Sequence, residues 1–137
     1  MANDILIQGL NEALNRELST IVRYMLQGSI IRGRQNQSLR QMYRDEVSDE
    51  IGHAQYLADK IGALGGVPVV KPDLTPPPAD VERMIDNDLA KEESDVAHYM
   101  KLADLADQSG DIELKMKMEE QAAEESHHAE ELRRMRG

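Results

Sequence analysis

One short pattern occurs twice in the chain: Glu50 is followed three residues later by His53, and Glu125 three residues later by His128. On a helix, side chains three apart share a face, so each pair can offer a carboxylate and an imidazole to one ion. A shift of 75 residues carries Glu50 onto Glu125 and His53 onto His128, and it also carries Glu17 onto Glu92. The same shift superposes Tyr24-Met25 on Tyr99-Met100, Ala54 on Ala129, Leu14 on Leu89 and Leu57 on Leu132. The chain therefore reads as a duplicated unit with three chemistry-bearing residues in each half. A single Glu-x-x-His on a helix is ordinarily surface charge. Two symmetric copies joined by two further glutamates are read here as a metal site.

The elements that must position these residues are legible from breakers and periodicity. All five prolines, Pro68, Pro72, Pro76, Pro77 and Pro78, fall in one window opened by Gly62, Gly65 and Gly66, which predicts a linker over about 62–79. Its roughly 17 residues reach some 50 Å when extended, the length of a helix pair. Before it, a helix from Asp4 to Ile31 gives way at Gly33–Ser38 to a second helix ending near Ala63. After it, a helix from Asp80 to Ala106 breaks at Gln108–Asp111, where Gly110 suits a C′ position and Asp111 an N-cap, and a last helix runs to the end. Stripes at alternating steps of three and four mark each helix, for example Leu39, Tyr43, Glu46, Glu50, His53, Leu57. Short turns make two antiparallel hairpins, and the long link lets the second and third helices run parallel. The expected fold is all-α, an antiparallel four-helix bundle with one long crossover between helices 2 and 3, closed in the ferritin-like way as one domain over 1–137.

In that bundle Glu17, Glu50, His53, Glu92, Glu125 and His128 occupy seam positions facing the interior. A buried ionised carboxylate costs several kcal/mol, so interior acids are usually paired or bound to metal. Two divalent ions would neutralise four glutamates, and a donor set of oxygen and nitrogen favours Fe, with Mn possible. Glu124 with His127 also fits the spacing, but the offset favours Glu125 with His128. Glu93 reads as a solvated neighbour of Glu92, and His98 as structural. Glu46, Asp88 and Asp95 read as ordinary bundle-end polar residues in preference to a cation route. Tyr24 and Tyr99 follow Glu17 and Glu92 by seven residues, about 10 Å along the same stripe. Tyr99 reads as core filler, and Tyr24 either as filler or as an electron source in oxygen chemistry.

Composition narrows the function. The 137 residues include 26 acidic and 16 basic ones, a formal charge of −10, which argues against nucleic acid and for cations as guests. No cysteine is present, which excludes disulfides and thiolate metal sites and suits a reducing cytoplasm. The short Ile5-Leu6-Ile7 run within Met1–Leu10 has no basic n-region before it, and no run of 18 apolar residues marks a membrane span, so a protein neither exported nor inserted is expected. Phe and Trp are absent, so the core is lean, and burying outer faces against further copies would add stability.

The run Leu10-Asn11-Glu12-Ala13-Leu14-Asn15-Arg16-Glu17-Leu18, with Asp49-Glu50-Ile51-Gly52-His53-Ala54, Asp88-Leu89-Ala90-Lys91-Glu92 and Glu125-Ser126-His127-His128, resembles bacterioferritin. The resemblance implies Glu17 and Glu92 as terminal carboxylates, Glu50 and Glu125 as bridging carboxylates, and His53 and His128 as nitrogen ligands of two Fe ions per subunit. It puts Tyr24 where the family carries a tyrosine beside the diiron centre. It implies ferroxidase activity, with Fe2+ oxidised by dioxygen or peroxide (O2/H2O2) and stored in a hollow homo-oligomer. The family binds haem through a methionine after the second-helix bridging Glu; Ile51 stands there, so haem is not expected through residue 51. The family's short fifth helix is also missing, since the chain stops nine residues past His128, which favours a dodecamer over a 24-mer. The alternatives are a rubrerythrin-like peroxide reductase, a family that typically carries an additional glutamate ligand, and a non-catalytic metal-binding bundle.

Overall fold

The computed structural model describes residues 2–137. Among them the chain forms α1 (Ala2–Ile30), a 3-10 turn (Arg34–Asn36), α2 (Gln37–Ala63), α3 (Val81–Ser109) and α4 (Ile112–Arg136), with no strands. The all-α, ferritin-like bundle expected from the sequence is the fold observed. Boundaries differ slightly. Helix α1 stops one residue before Ile31, the chain takes a 3-10 turn before α2, and α3 continues three residues past Ala106 to Ser109. The α3 end is set by Gly110, whose φ of 78° is left-handed and which no side chain with a Cβ adopts without strain. Asp111 then caps α4 by accepting from the Leu114 N–H, and Asp80 caps α3 by accepting from the Arg83 N–H.

Side-chain pairs settle the directions. On α1 against α3, Arg23 meets Asp88, Arg16 meets Asp95 and His98 meets Gly9, so the numbers run opposite and the helices are antiparallel. Gly28 lies against Tyr43 and Glu17 lies near His53, so α1 and α2 are antiparallel too. Hence α2 and α3 run parallel, and only a long crossover can join them.

That crossover is pinned along α1 by a polar ladder. Asn11 donates to the Val67 carbonyl and accepts from the Val69 N–H; Asn15 donates to the Val69 carbonyl and accepts from the Lys71 N–H. Ser19 accepts from the Asp73 N–H. Residues 11, 15 and 19 stand one helical turn apart, and each turn matches the two-residue step of an extended chain. The helix thus supplies the partners that a neighbouring strand would otherwise supply.

The apolar core is divided. One cluster joins Leu6, Leu10 and Leu14 to Leu57, Ile61, Leu102, Leu114 and Met118 at one end of the bundle. A smaller one joins Tyr24 and Ile31 to Leu39, Tyr43, Met84, Ile85 and Leu132 at the other. Between them lies a layer of buried polar side chains drawn from all four helices, Glu17, Glu50, Glu92 and Glu125 among them. None of these helices is long and apolar enough to cross a membrane, among the described residues.

Candidate metal centre

The polar layer lies between the two apolar clusters and draws its side chains from all four helices. Glu17, Glu50, His53, Glu92, Glu125 and His128 are all buried there, the carboxylates almost completely. In the last helix Glu125 and His128 are buried, whereas Glu124 is half-buried and His127 exposed.

The two histidines direct their Nδ1 atoms inward. His53 Nδ1 lies 3.5 Å from Glu50 Oε2, 3.6 Å from Glu125 Oε1 and 3.9 Å from Glu17 Oε2. His128 Nδ1 lies 3.7 Å from Glu50 Oε1, 3.8 Å from Glu125 Oε2 and 3.8 Å from Glu46 Oε2. Glu50 and Glu125 therefore each present one oxygen to each histidine. Tyr99 donates to Glu17 Oε1 and Tyr24 donates to Glu92 Oε1, the same relation in both halves. Each phenol occupies one oxygen of its carboxylate and leaves the other free. On the outer side, His53 Nε2 is 2.5 Å from Glu124 Oε2, a carboxylate that fixes the ring's orientation.

The inward atoms are otherwise unsatisfied. Glu17 Oε2, Glu92 Oε2, both oxygens of Glu50 and of Glu125, and both inward Nδ1 atoms are buried without a hydrogen-bond partner. Buried polar atoms in folded proteins nearly always have one, so a cluster of orphaned donors around one point fits cations. Three overlapping donor groups emerge, Glu17, Glu50, His53 and Glu125 in one, Glu46, Glu92 and His128 in another, and Glu92, Asp95 and Glu125 in a third, each with ligand atoms within 4.8 Å of one another.

Crowded negative charge sets the protonation. Burial opposes charge on His53, but Glu125 and Glu50 beside it outweigh that and raise its pKa to about 10. The same contest, won by Glu125 and Glu46, raises His128 to about 9. Burial pushes Glu50 and Glu46 up to about 7, each against the pull of a histidine. Burial and the neighbouring Glu125 push Glu92 up as well, whereas Glu125 is drawn below its usual range by Glu92 and the histidines despite its burial. Apart from Glu125, the shifts of these groups all favour protonation where no cation offsets the charge.

The three acids read as ordinary polar residues divide. Asp88 is one: it accepts from Arg23, Gln27 and Tyr43 and is fully satisfied. Glu46 and Asp95 are not bundle-end residues; Glu46 joins Glu92 and His128, and Asp95 joins Glu92 and Glu125. The 75-residue symmetry passes over Glu46 because its counterpart is Gln121, and Asp95 because its counterpart is Thr20. Its place on the Glu50 stripe, four residues earlier, was the available signal for Glu46. Tyr99, read as filler, holds Glu17 as Tyr24 holds Glu92. His98 Nε2 donates to the Gly9 carbonyl oxygen at 3.0 Å, in keeping with a structural role.

The Ferritin family's ferritin-like domain matches residues 7–137. No curated protein matches the sequence. Among solved structures, a ferritin-like diiron-carboxylate protein from Bacillus anthracis str. Ames is 36% identical, superposes with a TM-score of 0.96, and is matched over 100% of this chain and 99% of its own. A Rhodobacter capsulatus bacterioferritin is 26% identical, with a TM-score of 0.81 over 95% of this chain and 82% of its own. The bacterioferritin-related dodecameric thioferritin of Bacteroides fragilis, 23% identical, shares the fold at a TM-score of 0.85 over 97% of this chain and 84% of its own. With a match over nearly the whole chain, a crossover bundle, and carboxylates and histidines gathered at its centre, the chain belongs to the ferritin-like family.

Proposed function

We propose that the protein is a ferroxidase that oxidises Fe2+ to Fe3+ with dioxygen or peroxide at a di-iron centre inside each subunit. The observation that carries this reading is the set of orphaned donor atoms, arranged twice about one point. In this reading Glu50 and Glu125 bridge the two irons, because each turns one oxygen to each histidine. Glu17 and His53 hold one ion, and Glu92 and His128 the other. Iron here is substrate, and a bound pair can deliver two electrons together. Tyr99 and Tyr24 hold the terminal carboxylates in place. Tyr24, wholly buried and bonded to Glu92, is also the side chain from which a further electron can be drawn. Haem through residue 51 forms no part of this reading, since the Ile51 side chain offers no donor atom.

The Bacteroides relative is a dodecamer, and a hollow homo-oligomer of twelve copies is the assembly proposed here, storing the oxidised iron. A protein without cysteine suits the cytoplasm, where we place it. Anaerobic Fe2+ titration should saturate at two irons per chain, and oxygen should then oxidise both. Glu50→Ala and Glu125→Ala should each abolish that stoichiometry; oxidation kinetics unchanged by both would overturn the assignment.

A second reading, a peroxide reductase, draws support from Glu46 and Asp95, carboxylates beyond the six. Its sign would be peroxide consumption coupled to an external electron donor with no iron core accumulating.

A further inference from the structure

The six donors and both tyrosines obey the 75-residue symmetry, but Glu46 falls on Gln121. Both are buried, and both point polar atoms without partners into the same layer: Oε2 of Glu46, and Nε2 and Oε1 of Gln121. Glu46 Oε2 lies 3.8 Å from His128 Nδ1 and forms, with Glu92 and His128, one group of donors within 4.8 Å of one another. The group on the other side is Glu17, Glu50, His53 and Glu125, and the residue that the repeat relates to Glu46 there is the neutral Gln121. Two other buried acids lack an acidic match: Asp88 is held by Arg23, and Asp95 is bonded to Arg16 at 2.9 Å, so the charge of each is offset before any ion arrives. Glu46 has no such cation except the histidine itself.

We propose that Glu46 is a further ligand for the ion on the His128 side, and that Gln121 leaves the His53 side one carboxylate short, so the two positions fill in order, His128 side first. This rests on the di-iron reading above. Affinity for a divalent cation rises with the number of charged oxygen ligands, and a neutral amide oxygen replaces only part of a carboxylate's attraction. Glu50 and Glu125 each turn one oxygen toward each histidine, so the ligands that are not shared decide the order.

Cobalt(II) is the probe. The protein labelled in its histidine rings is titrated with Co2+, with binding read from visible absorption and site occupancy from paramagnetic shifts of the ring-carbon protons. The first equivalent should shift the His128 signals and the second those of His53. Glu46→Gln, close to isosteric, should weaken the tighter step about tenfold or more and make both histidines respond together. Gln121→Glu should strengthen the weaker step by a similar factor, a gain that misfolding cannot imitate. If two Co2+ bind but His53 responds first, or if neither variant changes the isotherm, the inference is overturned and the di-iron reading stands. If no Co2+ binds the unaltered protein, both are overturned.

Discussion

Asp88 shows how a buried acid behaves when its partners are built in. It accepts from Arg23 Nε at 2.7 Å, from Gln27 Nε2 at 2.7 Å and from Tyr43 at 2.6 Å, and no atom of it is orphaned. Asp88→Ala would leave the buried Arg23 guanidinium uncompensated, at a cost of about 3–5 kcal/mol. Tyr43→Phe removes one of three bonds and should cost about 1–2 kcal/mol. Urea denaturation compares them; equal losses would mean that Arg23 finds water instead. The metal-centre carboxylates differ because their missing partners are protons or cations. His53 and His128 are raised to about 10 and 9, and Glu46 and Glu50 to about 7, so the folded metal-free protein binds more protons than the unfolded chain. Raised groups stabilise the fold below their unfolded values and lose that contribution as pH climbs through the folded ones. Of the groups pulled downward, the carboxylates of Glu125, Asp73, Asp111 and Glu113 titrate below that window, and His98, lowered by burial, is a single group opposing the four raised ones. The thermal midpoint of the chelator-treated protein should therefore fall from pH 5 to pH 9. A midpoint that rises over this range would contradict the assignment.

At the scale of elements, the α1 ladder of Asn11, Asn15 and Ser19 is what turns a proline-rich link into a fixed strap. Asn15→Ala removes the two central bonds, to the Val69 carbonyl and from the Lys71 N–H, and leaves the helix a residue it favours. Amide exchange at Lys71, whose N–H loses its acceptor, should accelerate by about tenfold or more, the loss expected for roughly 1–2 kcal/mol of hydrogen bonding, while exchange in α2 and α4 stays unchanged. Equal acceleration throughout the bundle would show that the strap holds the helices together instead of merely lying on them. The split core explains the expected restriction: the two apolar clusters at either end of the bundle hold the helices independently of the crossover.

For the whole molecule, metal and assembly are the two terms that a single bare bundle lacks. A cation bound only by the folded state stabilises it by about 2.7 kcal/mol at one hundred times its dissociation constant. Because ligands must shed protons first, the gain in thermal midpoint on adding Co2+ should be larger at pH 8 than at pH 6, opposite in sign to the metal-free trend. A gain that shrinks with pH would argue that the cation binds elsewhere. The outer surface exposes Met25, Leu26 and Ile30 along α1 and Ile51 on α2. Burial of such a strip between copies fits the proposed oligomer. Light scattering should give a mass near twelve chains, and Met25→Lys should lower it; a monomer or dimer mass for the unaltered protein would reject the cage while leaving the di-iron reading intact.

Helices, crossover and the burial of six polar side chains were legible in the residues themselves, because breakers and the three-four period are local and the duplication repeats at one fixed offset. Asp111, Gly110 and the proline window needed no tertiary knowledge, since caps and breakers act through their own backbone. The role of Asp88 against that of Glu46 was not legible: both are acids on a seam, and only the fold decides that one meets Arg23 while the other meets a histidine. Tyr99 reads as filler until the bundle closes and its hydroxyl reaches Glu17, a residue 82 positions away. The asparagines of α1 look like ordinary polar positions, because what they bind is the backbone of a segment more than fifty residues distant. Periodicity states which face of a helix is turned inward; which atoms meet there depends on the rotation and height of four helices at once, and that is set by packing.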